Sequence, residues 1–182
     1  MVLISENKFG LKAQSINDIA ERLATINWYG KAGVKEVQAE ESLHLFLKTL
    51  RVSEYNIQWV ERERVLPIIG QLTFENSKLW EALRELPDQM KKKIDESGHV
   101  ALLESTIEAV PQAVFHAAFE KAFQVFEDEK IVNYLVGHAM YIAVLICTAE
   151  LADQVDLFAP LLELLASGHV PLGLEGNTIY LL

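Results

Sequence analysis

His138 is the residue of this chain that is best suited, by its type and its position in the sequence, to a chemical role in the protein interior. It lies in the uncharged stretch 131–149, on the same helical face as Leu135 and Ile142. Burial there lowers the pKa of an imidazole, so the ring stays neutral and needs one donor and one acceptor as partners. A neighbour such as Tyr134 would make His138 a satisfied core residue, which the apolar surroundings favour. A ligand or a metal ion would instead make it a pocket residue.

His116 and Glu120 form a second candidate pair, because one helical turn separates them. A carboxylate at that distance could orient the imidazole as a general base, although the same spacing also suits a surface hydrogen bond. The chain contains no Gly-x-Ser-x-Gly motif that would place a nucleophile beside them. These two residues and His138 are therefore weak catalytic candidates, and the sequence favours a protein that is not an enzyme.

Glu41 and His44 have the Glu-x-x-His spacing found in helical di-iron sites. Such a site requires a matching pair and two further glutamates on facing helices, a set that we do not expect here. We predict an exposed pair on an amphipathic helix, with no metal or other cofactor. The loop at residues 30–33 lacks the preceding strand and the full spacing of a phosphate-binding loop, so it predicts no nucleotide site.

A stripe of apolar residues that is rich in phenylalanine follows Pro111. Its members are Val114, Phe115, Ala118, Phe119, Ala122, Phe123 and Phe126. Such a stripe could line an aromatic ligand box, but recurrence at helical spacing is typical of core packing. We predict that the whole stripe lies in the core.

The charge distribution excludes two large classes of partner. No lysine or arginine follows Lys130, and the formal net charge is -10. The long-range field therefore repels nucleic acid and anionic membranes, and we expect neither as a partner. The stretch 131–149 has the length of a membrane-spanning helix, but polar residues interrupt it and acids flank it. It predicts the buried central helix of a bundle.

Cys147 is the single cysteine, which excludes an intrachain disulfide and a zinc site with several cysteines. Its neighbours in sequence are apolar, so we predict a buried and unreactive thiol. The N-terminal residues turn polar too early for a signal peptide. We therefore expect a cytoplasmic protein.

Helical periodicity recurs along most of the chain. We predict helices opening at Ser15, at about 35–51, at 76–86, from Pro87 to near Gly98, at 99–110, from 131 to about 151 and at 156–166. Pro111 either breaks or kinks the helix at 99–110 before the helical segment that follows it. Residues 53–72 are ambiguous, because Ile57 and Trp59 alternate like a strand while other positions follow a helical spacing. We expect a helix there because its neighbours are helical, and Pro67 should end it.

The C-terminal residues depart from the helical pattern. Residues 170–174 and 178–182 flank a turn that contains glycine, and they predict a β-hairpin that packs on the helices. Pro171 is the kind of residue that blunts a strand edge, so we expect the edge to be covered rather than free for a partner. The string Ser-Gly-His-Val occurs at 97–100 and at 167–170, after two predicted helices, and predicts two glycine C-caps.

Together these patterns predict an all-α fold in one domain over residues 1–182. We expect seven or eight helices in a bundle or a solenoid-like array, closed by the C-terminal hairpin. The lack of a catalytic signature favours an interaction or regulatory module that binds another protein or forms a homodimer. The alternative is a small-molecule or metal site, including that of an enzyme, around His138 or around His116 and Glu120. A polar pocket at these histidines would favour the alternative, and an exposed apolar groove the module.

Overall fold

The computed structural model describes residues 4–72 and 78–182. Within these ranges the helices are α1 (Glu6–Ala24), α2 (Val37–Thr49), α3 (Val65–Ile69), α4 (Lys78–Ser97), α5 (Val100–Val125), α6 (Glu129–Leu151) and α7 (Ala159–Ala166). The strands are β1 (Asn56–Trp59), β2 (Pro171–Glu175) and β3 (Thr178–Leu181), and 3₁₀ turns cover Arg62–Arg64 and Val155–Phe158. The predicted, mostly helical fold with a C-terminal hairpin is confirmed.

Helix α6 lies at the centre of the bundle and contacts α1, α3, α4 and α5. Asp128 caps its start, because the Oδ1 atom accepts hydrogen bonds from the backbone N–H groups of Lys130 (2.8 Å) and Ile131 (3.3 Å). Among the described residues, α6 alone has the length and hydropathy of a membrane-crossing helix. Of the 18-residue segment of α6 that meets this criterion, 56% is buried inside the protein. The uncharged stretch therefore forms a core helix, as its sequence predicts.

Cys147 is buried in α6. Burial raises the pKa of its thiol to about 12, and the nearby charge of Glu150 acts in the same direction. The thiol is therefore protonated at neutral pH and poorly nucleophilic, which confirms the prediction of a buried and unreactive cysteine.

Helix α1 spans Glu6–Ala24 with a break at Gly10 (φ 63°, ψ -146°), and the helical stretch that contains Ser15 begins directly after this break, so the predicted start at Ser15 is wrong. Ser15 lies inside the helix, where its Oγ donates a hydrogen bond to Glu150 Oε1 of α6 at 2.8 Å. A serine can satisfy its hydroxyl across a helix interface as well as at a helix start, and local sequence does not distinguish the two. The predicted apolar face is confirmed, because Ile16 and Leu23 are fully buried.

No lysine or arginine follows Lys130, so the acids at the end of α6 have no basic partner nearby in sequence. Lys12 of α1 provides their positive partner. Its Nζ lies 2.6 Å from Asp153 Oδ1, 2.8 Å from the backbone oxygen of Glu150 and 3.4 Å from Glu150 Oε1. The hydrogen bond and charge of Lys12 lower the pKa of Asp153. The acids at the end of α6 therefore help to attach α1 to the bundle.

The helix predicted for 53–72 is wrong where β1 forms, and the part that is helical, α3 (Val65–Ile69), continues through Pro67, which was predicted to end it. β1 pairs in parallel with β3, and Ile57 lies opposite Ile179. Trp59 donates a hydrogen bond from its indole nitrogen to Glu40 of α2. The alternation of Ile57 and Trp59 carried the correct signal, but the partner strand lies at the far end of the chain.

The three strands form one sheet in the order β1–β3–β2. The predicted hairpin of β2 and β3 is confirmed; the strands are antiparallel, and Gly176 in the turn has a φ of 55°. The sequence predicted that the edge of the hairpin is covered. The edge of β3 is covered, although Pro171 is not the reason. That edge of β3 pairs with β1, which makes β3 the central strand.

The helix boundary predicted at Pro87 is wrong, and of the two alternatives predicted for Pro111, a break or a kink, the break is wrong. Residues Lys78–Ser97 form one helix that continues through Pro87, and Val100–Val125 form one that continues through Pro111. The predicted start at Asn76 lies outside the described residues. An interior proline removes one backbone hydrogen bond, yet packing of an apolar face can keep the helix continuous.

The two Ser-Gly-His strings end their helices in the same way, as predicted. Gly98 and Gly168 have φ values of 76° and 91°, which a side chain would make costly. The N–H groups of the two following histidines return to the carbonyl oxygens of Ile94 (3.1 Å) and Leu164 (3.4 Å). The second histidine is fully buried, and its Nε2 donates to the backbone oxygen of Val34 at 2.9 Å.

Candidate functional site

One side of α6 is not covered by the other helices. Asn133, Gly137 and Tyr141 recur every four residues along α6 and are all exposed. Tyr134 and His138, next to this row, are only half-buried. Residues four apart share a face of a helix, so these five form a continuous strip along an otherwise apolar core helix.

This strip forms the floor of a cleft with a volume of about 760 Å³. Its walls come from α2, α4, α7, Leu72 and the C-terminal sheet, and most of its lining atoms are apolar. Examples are Leu43, Phe46, Leu83, Leu161, Leu172 and Ile179. Sites for small molecules typically have volumes of about 300–1,000 Å³ and a mostly hydrophobic lining, and the cleft has both properties.

His138 and Tyr134 join the floor of the cleft to one of its walls. His138 Nε2 lies 2.6 Å from the backbone oxygen of Pro171, and the Tyr134 hydroxyl donates to the backbone oxygen of Leu172 at 2.6 Å. The two rings stack, with centroids 5.9 Å apart and planes inclined by 10°. These contacts hold β2 against α6 and keep the cleft wall in place.

The geometry assigns the proton on His138. A carbonyl oxygen can only accept, so the nitrogen that faces Pro171 must carry a hydrogen. Burial lowers the pKa of His138, although the hydrogen bond to Pro171 acts in the opposite direction, and the ring is neutral at pH 7. The other nitrogen, Nδ1, is then an acceptor, and within residues 4–72 and 78–182 it has no hydrogen-bond partner. His138 is thus a structural residue through Nε2 and a cleft residue through Nδ1.

Gly173 permits the close contact between β2 and the rest of the cleft wall. Its φ is 152°, and a Cβ atom there would lie 2.9 Å from Leu72 Cδ1 and 3.4 Å from the Tyr134 hydroxyl. The register of β2 on β3 shifts at this point, between Pro171 and Gly173. The irregular strand brings two successive carbonyl groups within reach of α6.

The structure does not bring the other candidate residues into the cleft. His116 and Glu120 are exposed on α5; His116 packs edge-on against Phe115, and Glu120 accepts a hydrogen bond from Gln124. In the described part of the chain no hydrogen bond joins His116 to Glu120. Their geometry is that of a polar helix surface, without the oriented pair that a general base would need.

Glu41 and His44 are exposed on α2, and His44 Nδ1 forms a hydrogen bond with the Tyr55 hydroxyl. A second Glu-x-x-His, Glu96 to His99, spans the end of α4, where Gly98 breaks the helical geometry. No group of three potential metal-ligating side chains occurs among the described residues. Glu41 and His44 therefore remain an isolated surface pair.

The phenylalanine stripe is only partly core, so its predicted complete burial is wrong. Phe115, Phe119 and Phe123 are exposed by 40%, 41% and 61%, and their rings stack in a row with centroids 5.8 and 6.0 Å apart. The adjacent row of small residues, which includes Ala118 and Ala122, is fully buried instead. Helical spacing identifies both rows but does not say which one faces the bundle. We call the exposed row of three rings the aromatic ridge.

Gly137, Tyr141 and Arg84 are cleft residues that were not singled out from the sequence. Gly137 forms part of the exposed row on α6, and its four-residue spacing from Asn133 and Tyr141 was visible as a break in an apolar helix. Arg84 lines the cleft from α4, and nothing in its local sequence shows this. Only the packing of α4 beside α6 places it there.

Comparisons with protein-family models, with curated proteins and with solved structures found no match to this chain. The chemistry of its own residues is therefore the basis for assigning a function.

Proposed function

We infer that this protein binds a small apolar molecule in the cleft along α6. The observation that carries this proposal is a mostly apolar cleft of about 760 Å³ on the one uncovered side of the core helix. Soluble proteins rarely leave such a concave apolar surface without an occupant, because apolar area exposed to water is unfavourable.

The polar groups of the cleft favour binding over catalysis. Asn133, Tyr141 and the free nitrogen of His138 offer hydrogen bonds at the floor, whereas His138 Nε2 and the Tyr134 hydroxyl are already engaged with β2. Such groups can orient a ligand. No activated nucleophile accompanies them in the described part of the cleft, so the cleft is better suited to a carrier or a sensor than to an enzyme.

Primary alcohols of increasing chain length test this proposal, because they differ only in apolar area. Burial of each methylene contributes about 0.8 kcal/mol, so lengthening 1-hexanol to 1-octanol should lower the Kd roughly 15-fold until the cleft is filled. The measurement is a titration followed by ¹H–¹⁵N NMR, with the Gly137 amide as the reporter. Hexane-1,6-diol, which has a polar group at each end, is the control and should bind more weakly than 1-hexanol. The absence of chain-length dependence at Gly137 would contradict the proposal.

The aromatic ridge favours a second function, self-association through α5. Three exposed, stacked rings at regular spacing form an apolar surface, and a two-fold axis would place this surface against the same surface of a second copy. This proposal corresponds to the interaction module predicted from the sequence. Sedimentation velocity over a concentration series should show a dimer that Phe119→Ser weakens and that Leu45→Ser, an equally apolar change on exposed α2, does not. A monomer at all concentrations, or a dimer insensitive to Phe119→Ser, would contradict it.

A further inference from the structure

Among the described residues that line the cleft, Arg84 is the one charged residue. It extends from α4, and no acidic side chain of the described part of the chain shares the lining. This composition is unusual for a chain with a net charge of -10, in which 26 acids outnumber 16 basic residues. The charge of the described cleft lining is thus positive, whereas the net charge of the whole chain is negative.

The guanidinium group of Arg84 is available to a ligand. Arg84 is exposed, and no ion pair joins it to a carboxylate in the described part of the chain. The acids nearest to it in sequence, Glu81, Glu85 and Asp88, lie on the same helix but do not line the cleft. An arginine left without a partner at the margin of an apolar cleft is suited to a planar anion.

We propose that the ligand is an anionic amphiphile, an unbranched alkyl chain with a terminal carboxylate that pairs with Arg84 while the chain lies over α6. This proposal rests on the proposed function of the cleft. A carboxylate fits better than a phosphate, because one guanidinium can hold a carboxylate through two parallel hydrogen bonds, and the lining residues that the structure describes include no second cation. Neutral His138 attracts no anion, which assigns the head group to the α4 side of the cleft.

The overall negative charge does not prevent such binding. At physiological ionic strength the field of distant charges is screened over about 8 Å, so the nearest charged group dominates at the cleft. Repulsion by the rest of the surface slows the approach of an anion but acts equally on every carboxylate ligand. This repulsion is nearly the same in the unmodified protein and in Arg84→Gln, so the part of the preference for a carboxylate that Arg84→Gln removes depends on Arg84.

Three probes with the same alkyl chain test the head group: decanoate, 1-decanol and decyltrimethylammonium, titrated below their micelle concentrations at physiological salt. We expect the unmodified protein to bind decanoate about 10-fold more tightly than 1-decanol, and the ammonium compound most weakly. Arg84→Gln should abolish the preference for decanoate without changing the Kd for 1-decanol. Arg84→Lys should keep part of it, because the charge remains while the bidentate geometry is lost.

Lys92→Gln is the matched control, because it removes one positive charge from the exposed surface of the same helix without altering the cleft lining. It should leave the preference for decanoate unchanged. Equal binding of decanoate and 1-decanol, or a preference that survives Arg84→Gln, would overturn the assignment of the head group and leave the proposed function in place. If none of the three probes binds, the proposed function itself fails.

Discussion

Replacing Gly137 with tryptophan should abolish 1-decanol binding and leave the protein folded. Gly137 lies in the exposed row of α6 that forms the cleft floor, and a Cβ atom added there would meet no heavy atom of the described residues within 4 Å, apart from its own stretch of helix. An indole at this position would occupy the volume that the ligand needs without displacing a core side chain. We expect the Kd to rise by at least about 100-fold, because most of the apolar contact area would be lost. The NMR titration measures the Kd, and circular dichroism checks the fold.

Gly137→Ala is the control for that substitution. A methyl group is small relative to the cleft, so binding should persist. The free energy of unfolding should increase by about 0.5–1 kcal/mol, because alanine loses less backbone freedom than glycine in a helix. Unchanged 1-decanol binding by Gly137→Trp would show that the ligand lies elsewhere. Loss of binding with both variants would indicate a disturbed helix rather than a blocked cleft.

Replacing Ala118 with phenylalanine should destabilise the protein severely, whereas removing the neighbouring Phe119 side chain should not. Ala118 is fully buried on the inner face of α5, which packs against α1 and α6. A large ring there would force these helices apart and should lower the free energy of unfolding by about 3 kcal/mol. Urea denaturation, followed by circular dichroism, provides the measurement.

Phe119→Ala is the matched comparison, one position along the same helix. Its side chain is 41% exposed, and its ring stacks on those of Phe115 and Phe123 in the aromatic ridge. We expect a change in the free energy of unfolding within about 0.5 kcal/mol, measured at a protein concentration too low for self-association. A loss of 3 kcal/mol or more would be typical of a buried phenylalanine and would restore the prediction that the stripe belongs to the core.

Local sequence was sufficient where the partner of a residue lies nearby along the chain. The two Ser-Gly-His caps depend on hydrogen bonds within one helix end, and both have the predicted geometry. The hairpin of β2 and β3 depends on a two-residue turn, and it is also confirmed. The burial of Cys147 followed from its apolar neighbours in the sequence of α6.

Local sequence was insufficient where a distant segment decides the environment. Ile57 forms a strand because Ile179 lies beside it, and this pairing joins opposite ends of the chain. Ser15 lies within α1 because Glu150 accepts its hydrogen bond across a helix interface. Phe119 is exposed because the small residues next to it allow close packing of the bundle, so the larger side chains remain outside.

By itself the sequence determined that the chain is mostly helical, that residues 131–149 form a core helix and that the tail folds back as a hairpin. Periodicity and turn chemistry carry those properties over a few residues. Only the tertiary structure decided the two roles of His138, held through Nε2 by Pro171 and open at Nδ1, and placed Arg84 at the same cleft. A cleft is the space left between elements that are far apart in sequence, so its lining follows from their packing and not from any single segment.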